Sequence, residues 1–84
     1  VTSSEAEQKF KTDHYLKFWD PKNEMGVVLN FSMKPGTIYL NVYFDKNRFD
    51  NSDDISADMM KEIKIGSKKY KNLFKGIEEM EVID

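Results

Sequence analysis

The feature that most constrains the fold is a pair of alternating apolar runs around Lys34-Pro35-Gly36. Val27-Val28-Leu29-Asn30-Phe31-Ser32-Met33 precedes the turn, and Thr37-Ile38-Tyr39-Leu40-Asn41-Val42-Tyr43-Phe44 follows it. Strand side chains alternate between the two faces of a sheet, so every second residue shares a face. The pattern predicts a β-hairpin over 26–33 and 37–44. Pro35 pre-sets φ at the first central position of a turn, and Gly36 accepts the positive φ of the second. A type II turn fits strand twist poorly in a two-residue hairpin, so a four-residue loop, Lys34 to Thr37, is equally consistent. Either loop pairs Met33 with Ile38, Phe31 with Leu40, Leu29 with Val42 and Val27 with Phe44. All eight apolar residues then share one face, and a one-residue slip would scatter them. The other face carries Val28, Asn30, Ser32, Tyr39, Asn41 and Tyr43.

The flanking segments supply helices and an edge. Ser4-Glu5-Ala6-Glu7 fits a capping box, with the acids also suited to a helix N-terminus. The favoured reading is a helix from 5 to about 18, with Tyr15, Leu16, Phe18 and Trp19 at helical spacing. The competing reading is a shorter helix followed by a strand over 14–19, with Leu16 and Phe18 on one side. Asp20-Pro21-Lys22-Asn23-Glu24 is a turn, because the residue before proline is pushed out of the helical region. Asp45 to Ser52 reads as a polar loop anchored by Phe49. Ser52, Asp53 or Asp54 would cap a second helix whose stripe is Ile55, Met59, Met60 and Ile63, ending at Gly66. Ser67 would cap a third, with Tyr70, Leu73 and Phe74 on its apolar face and Gly76 at its end. The alternative for this region is a hairpin of 62–65 with 68–71. Within Ile77 to Ile83, Met80 and Val82 alternate with Glu79 and Glu81, as in an edge strand whose acids discourage further pairing. The expected architecture is α+β: a small antiparallel sheet packed with two or three helices.

Eighty-four residues make one small domain, 1–84. Such a chain buries roughly 60–65% of its unfolded surface, so it folds alone with little margin. Aromatic residues at 13% argue against disorder. There is no cysteine, which removes disulfides, thiolate zinc sites and a cysteine nucleophile, and leaves the compartment unassigned. No apolar run reaches the length of a transmembrane helix. The chain begins at Val1 rather than methionine, as expected of a processed protein, a domain cut from a longer one or a recombinant piece. The net charge of −2 gives no preference for nucleic acid. Its distribution is uneven: residues 45–58 sum to −3, 61–75 to +5 and 78–84 to −4.

Catalytic and metal-binding patterns are sparse. His14 is the only histidine, and its neighbour Asp13 points away from it on any regular element, so it reads as a surface residue. Asp50-x-Ser52-x-Asp54 begins like a calcium loop but has Ile55 in place of the glycine and Lys61 in place of the final glutamate. The four glycines form no phosphate-binding loop. Asn30-Phe31-Ser32 matches the glycosylation sequon but sits within a predicted strand. No cofactor and no metal is expected, and the chain does not read as an enzyme.

Two surfaces remain as candidates. One is the outer hairpin face, where Tyr39, Asn41, Tyr43 and Asn30 offer rigid aromatic area with polar tips, as protein interfaces favour. On this reading Tyr43→Ser would leave stability nearly unchanged. The other is the lysine cluster, with Lys64, Lys68, Lys69 and Lys71 as contacts for phosphate or an acidic partner. The leading expectation is a non-enzymatic protein-interaction module, a small inhibitor or regulator of a larger protein. The alternatives are a nucleic-acid-binding module combining the lysines with the sheet tyrosines, and a structural piece of a larger assembly.

Overall fold

The computed structural model describes residues 2–13, 15–52 and 57–83. In chain order the elements are α1 (Ser3–Asp13), β1 (Tyr15–Asp20), β2 (Met25–Phe31), β3 (Thr37–Tyr43), α2 (Lys46–Asp50), β4 (Met59–Lys64), α3 (Lys68–Ile77) and β5 (Glu81–Ile83). The strands form one sheet in the order β4-β3-β2-β1-β5, with every neighbouring pair antiparallel. The class is α+β, as the sequence predicts. His14 and the cap and stripe residues Asp53, Asp54 and Ile55, with the last position of the calcium-like triplet, lie outside the described residues.

The hairpin forms, but its register is shifted by two residues from the expected one. The observed pairs are Phe31 with Ile38, Leu29 with Leu40 and Val27 with Val42. Pro35 and Gly36 do occupy the turn, with Gly36 at φ 76° and the Thr37 N–H donating to the Lys34 carbonyl at 3.3 Å. That turn is fastened by side chains instead of a continuing ladder. Ser32 Oγ accepts from the Lys34 N–H at 3.0 Å, and Thr37 Oγ1 donates to the Lys34 carbonyl at 2.9 Å. Ladder pairing therefore stops where the Ser32 N–H meets the Thr37 carbonyl, leaving a loop of Met33 to Gly36. An even shift preserves the faces, so the core assignment of the paired residues holds. Met33 and Phe44 are the corrections: they are 99% and 56% exposed, one in the loop and one beyond the end of β3.

The first helix is shorter than favoured, and the competing reading is the observed one. α1 ends at Asp13 and β1 follows. Period two prevails over 15–20 because β1 sits between β2 and β5, burying Leu16 and Phe18 on one face. The capping box lies two residues earlier than expected. Thr2 Oγ1 accepts from the Glu5 N–H at 3.2 Å, and Glu5 Oε2 accepts from the Thr2 N–H at 3.4 Å.

The expected second helix is instead the edge strand β4, paired with β3 from Thr37–Lys64 to Val42–Met59. Neither half of the alternative 62–65/68–71 hairpin pairs with the other, since 68–71 begins α3. The third helix is as expected at its start, with Ser67 Oγ accepting from the Tyr70 N–H at 3.2 Å. It runs through Gly76 to Ile77. The C-terminal edge strand is present but only three residues long. The loop predicted over 45–52 contains the short helix α2, capped by the Asp45 carboxylate on the Asn47 N–H at 2.8 Å.

The sheet separates two apolar clusters. On one side α1 and α3 pack Ala6, Phe10, Tyr70, Phe74 and Ile77 against Leu16, Phe18, Val27, Leu29, Ile38 and Ile63. The Phe10 and Phe31 rings stack at 4.8 Å, and Phe74 meets Phe10 at 6.1 Å. On the other side Phe49 of α2 packs against Val28 and Tyr43, with Trp19 and Ala57 at the margin. Gly26 makes room for this second cluster, because a Cβ built there would lie 2.2 Å from Phe49 Cδ1 and clash with the ring. Phe49 is thus the anchor the sequence suggests, although it sits on a helix instead of a loop.

Candidate functional site

The outer sheet face, opposite α1 and α3, can be read row by row from the pairing. Residues directly opposite in antiparallel strands share a face, with strands about 4.8 Å apart. One row runs Glu62, Tyr39, Asn30, Tyr15 across β4, β3, β2 and β1. The next runs Met60, Asn41, Val28, Lys17, Ile83. The third runs Tyr43, Gly26, Trp19, Glu81.

α2 covers the third row. Tyr43 is only 3% exposed, its ring centroid lies 6.4 Å from that of Phe49, and its hydroxyl donates to the Ser52 carbonyl at 3.3 Å. This corrects the assignment of Tyr43 to an accessible surface. The period-two pattern places it correctly on the Tyr39 face, but the segment after β3 folds back over that end. Trp19 stacks obliquely on Phe49 at 5.6 Å. Two lysines complete the cover, with Lys17 Nζ 4.8 Å from the Phe49 centroid and Lys46 Nζ 5.0 Å from that of Trp19.

Asp58 ties the end of this cover to β3. Its carboxylate accepts from the Phe44 N–H at 3.0 Å and pairs with Arg48. The Phe44 N–H, more than the Arg48 guanidinium, holds the Asp58 carboxyl below its ordinary value. At the β1–β2 turn the buried Asp20 plays a similar part. It accepts from the Lys22 and Asn23 N–H groups and from Asn23 Nδ2 at 2.8 Å. The Asn23 amide is the main reason its pKa is lowered.

The first row stays open. Tyr39 and Asn30 are partly buried, Tyr15 is 36% exposed and Met60 in the adjoining row is 65% exposed. Asn41 lies under this margin, with its Oδ1 buried and accepting no hydrogen bond among the described residues. Asn30, Tyr39 and Asn41 are therefore brought together as the sequence predicts, and Tyr15 and Met60 join them. Tyr15 was legible only through the alternation Tyr15, Lys17, Trp19. Met60 was obscured by its fit to a helical stripe.

The α3 lysines occupy another surface. Lys68, Lys69 and Lys71 are exposed on α3, which packs on the opposite face of the sheet from Tyr39. Lys64, by contrast, is exposed at the end of β4 on the Tyr39 face, opposite Thr37. Lys71 also borders a shallow groove of about 220 Å³ between α1 and α3, with Ser3, Ser4, Glu7, Phe74 and Lys75. Beside it, burial and then the Glu7 carboxylate push the Tyr70 hydroxyl up to about 12.

Among the described residues no group of three or more His, Cys, Asp or Glu is placed to hold a metal ion. No helix among them is long and apolar enough to cross a membrane. The chain matches no protein-family model, no curated protein and no solved structure.

Proposed function

We propose that the chain is a non-enzymatic protein-interaction module, a small inhibitor or regulator that binds a larger protein through the open part of its outer sheet face. The observation that carries this reading is the row Glu62, Tyr39, Asn30, Tyr15, which spans four strands and is left uncovered by α2. Tyrosine combines large rigid area with a polar tip, the combination that interfaces select. Strand backbones hold these side chains in place, so little ordering is needed on binding. Met60 adds a soft apolar margin, and the amides of Asn30 and Asn41 add directional bonds. The separation of acidic 45–58 from basic 61–75 would orient an approaching partner.

The test is capture of a defined partner on immobilised protein, comparing wild type with Tyr39→Ala and with Lys68→Ser/Lys69→Ser. Thermal melts establish that each variant is folded. The expected result is loss of the partner with Tyr39→Ala alone. Undiminished capture by Tyr39→Ala overturns the reading. Nucleic-acid binding is tested in parallel by titrating labelled single- and double-stranded probes at low and high salt. Micromolar binding with a steep salt dependence would replace the protein partner by a phosphate backbone held on the α3 lysines.

A further inference from the structure

β4 is an outer edge of the sheet, and its far side pairs with no strand among the described residues. The Ile65 N–H donates to the Gly36 carbonyl at 2.8 Å, so Ile65 turns its backbone groups toward β3. Antiparallel ladders alternate residue by residue, so Ile63 and Lys61 also turn inward, while Glu62 and Lys64 turn their N–H and C=O groups outward. Outward groups on an edge are a template for another strand.

The charges on β4 select what that strand can be. Consider a second copy pairing antiparallel about a two-fold axis perpendicular to the sheet. Facing residues must then share a face, which leaves one register centred on each residue of the strand. Centring on Glu62 sets two glutamates face to face. Centring on Lys61 or Lys64 does the same with two lysines, and centring on Met60 sets Glu62 against Asp58. Centring on Met59 overlaps only the start of the strand and joins no charged residue of β4 to another, whereas centring on Ile63 alone puts Glu62 of each copy opposite Lys64 of the other, so that both pairs attract. These are also the outward-turned residues, so each Glu62–Lys64 pair exchanges both of its backbone hydrogen bonds.

We infer that the chain forms a two-fold dimer by antiparallel pairing of β4 with β4 of a second copy, centred on Ile63. Lys34 already lies 3.5 Å from Glu62 within one copy, so pairing places that carboxylate between two cations. Ile63 is 7% exposed in a single copy, so the axis adds little apolar burial, and charge and backbone complementarity choose the partner. The outer faces of both copies then lie on the same side of one continuous sheet. The dimer stands on the β4 edge and shares only Glu62 with the open row, and its test reads association of the chain with itself, which needs no partner on the outer face.

Sedimentation equilibrium from micromolar to millimolar protein tests this. Wild type is expected to shift from monomer to dimer across the series. Glu62→Lys and Lys64→Glu, both at exposed positions, are each expected to lose the dimer, because each sets like charges across the axis. Mixed in equal amounts, these two variants are expected to dimerise with one another, since every facing pair again joins a cation to a carboxylate. Amide exchange is expected to slow at Glu62 and Lys64 as concentration rises. Wild type that stays monomeric at millimolar concentration overturns the inference. So does a dimer that survives in both single variants, or one whose slowed amides lie away from β4.

Discussion

Tyr39 and Tyr43 lie four residues apart on one strand and one face, yet only Tyr39 is part of an open surface. The difference comes from Phe49, whose ring sits over Gly26 and beside Tyr43. Tyr43→Ser is therefore expected to cost about 3 kcal/mol, as for truncation of a buried aromatic, while Tyr39→Ser stays within about 1 kcal/mol. Urea unfolding of the two variants checks the contrast. Two carboxylates set the acid limit at the same scale. Asp20 and Asp58 both have folded-state pKa values below the ordinary 3.8, so the folded chain binds fewer protons than the unfolded one. Their stabilisation is complete above that ordinary value and is lost as pH falls through the lowered values. The urea midpoint should fall on acidification below about pH 4, and Asp58→Asn should flatten that limb.

At the scale of elements, most of the legible structure was periodic and doubly supported. The hairpin faces survive a two-residue error in register because the side-chain period is two. α3 is legible because a cap at Ser67 and a stripe of Tyr70 and Phe74 agree. The sequence is ambiguous where both periods fit the same residues. Over 15–19, Leu16 and Phe18 suit a strand while Tyr15, Leu16, Phe18 and Trp19 suit a helix. Over 59–64, an edge strand buries only Ile63, so its alternation is faint, and pairing with β3 decides the outcome. α2 has a single buried residue and so leaves no period at all, which is why the cover over Tyr43 was hidden. The cap at Ser67 is open to direct test. Ser67→Ala removes the acceptor for the Tyr70 N–H and should cost about 1 kcal/mol. α3 carries three core residues, Tyr70, Phe74 and Ile77, so the loss should lower the global melting temperature instead of merely fraying the helix end.

For the whole molecule, the two clusters divide the work unequally. The cluster under α1 and α3 joins both helices to four strands, whereas the cluster under α2 rests on Phe49. A chain of this length has a total stability on the order of 4–12 kcal/mol, and removing a buried phenylalanine costs about 3–5 kcal/mol. Phe10→Ala should therefore consume much of the stability of the entire fold. Phe49→Ala has another outlet, because α2 can undock while the sheet and the larger cluster persist. Its cost is then capped at the free energy of docking α2. The single tryptophan, Trp19, lies 5.6 Å from Phe49 and reports that docking directly. Phe49→Ala is expected to shift Trp19 emission to the red with little change in far-ultraviolet circular dichroism, and to cost less in urea than Phe10→Ala. If Phe49→Ala instead loses the dichroism and the emission together, α2 and the sheet form one cooperative unit. Tyr43 would then be as essential to the fold as any residue of the larger cluster.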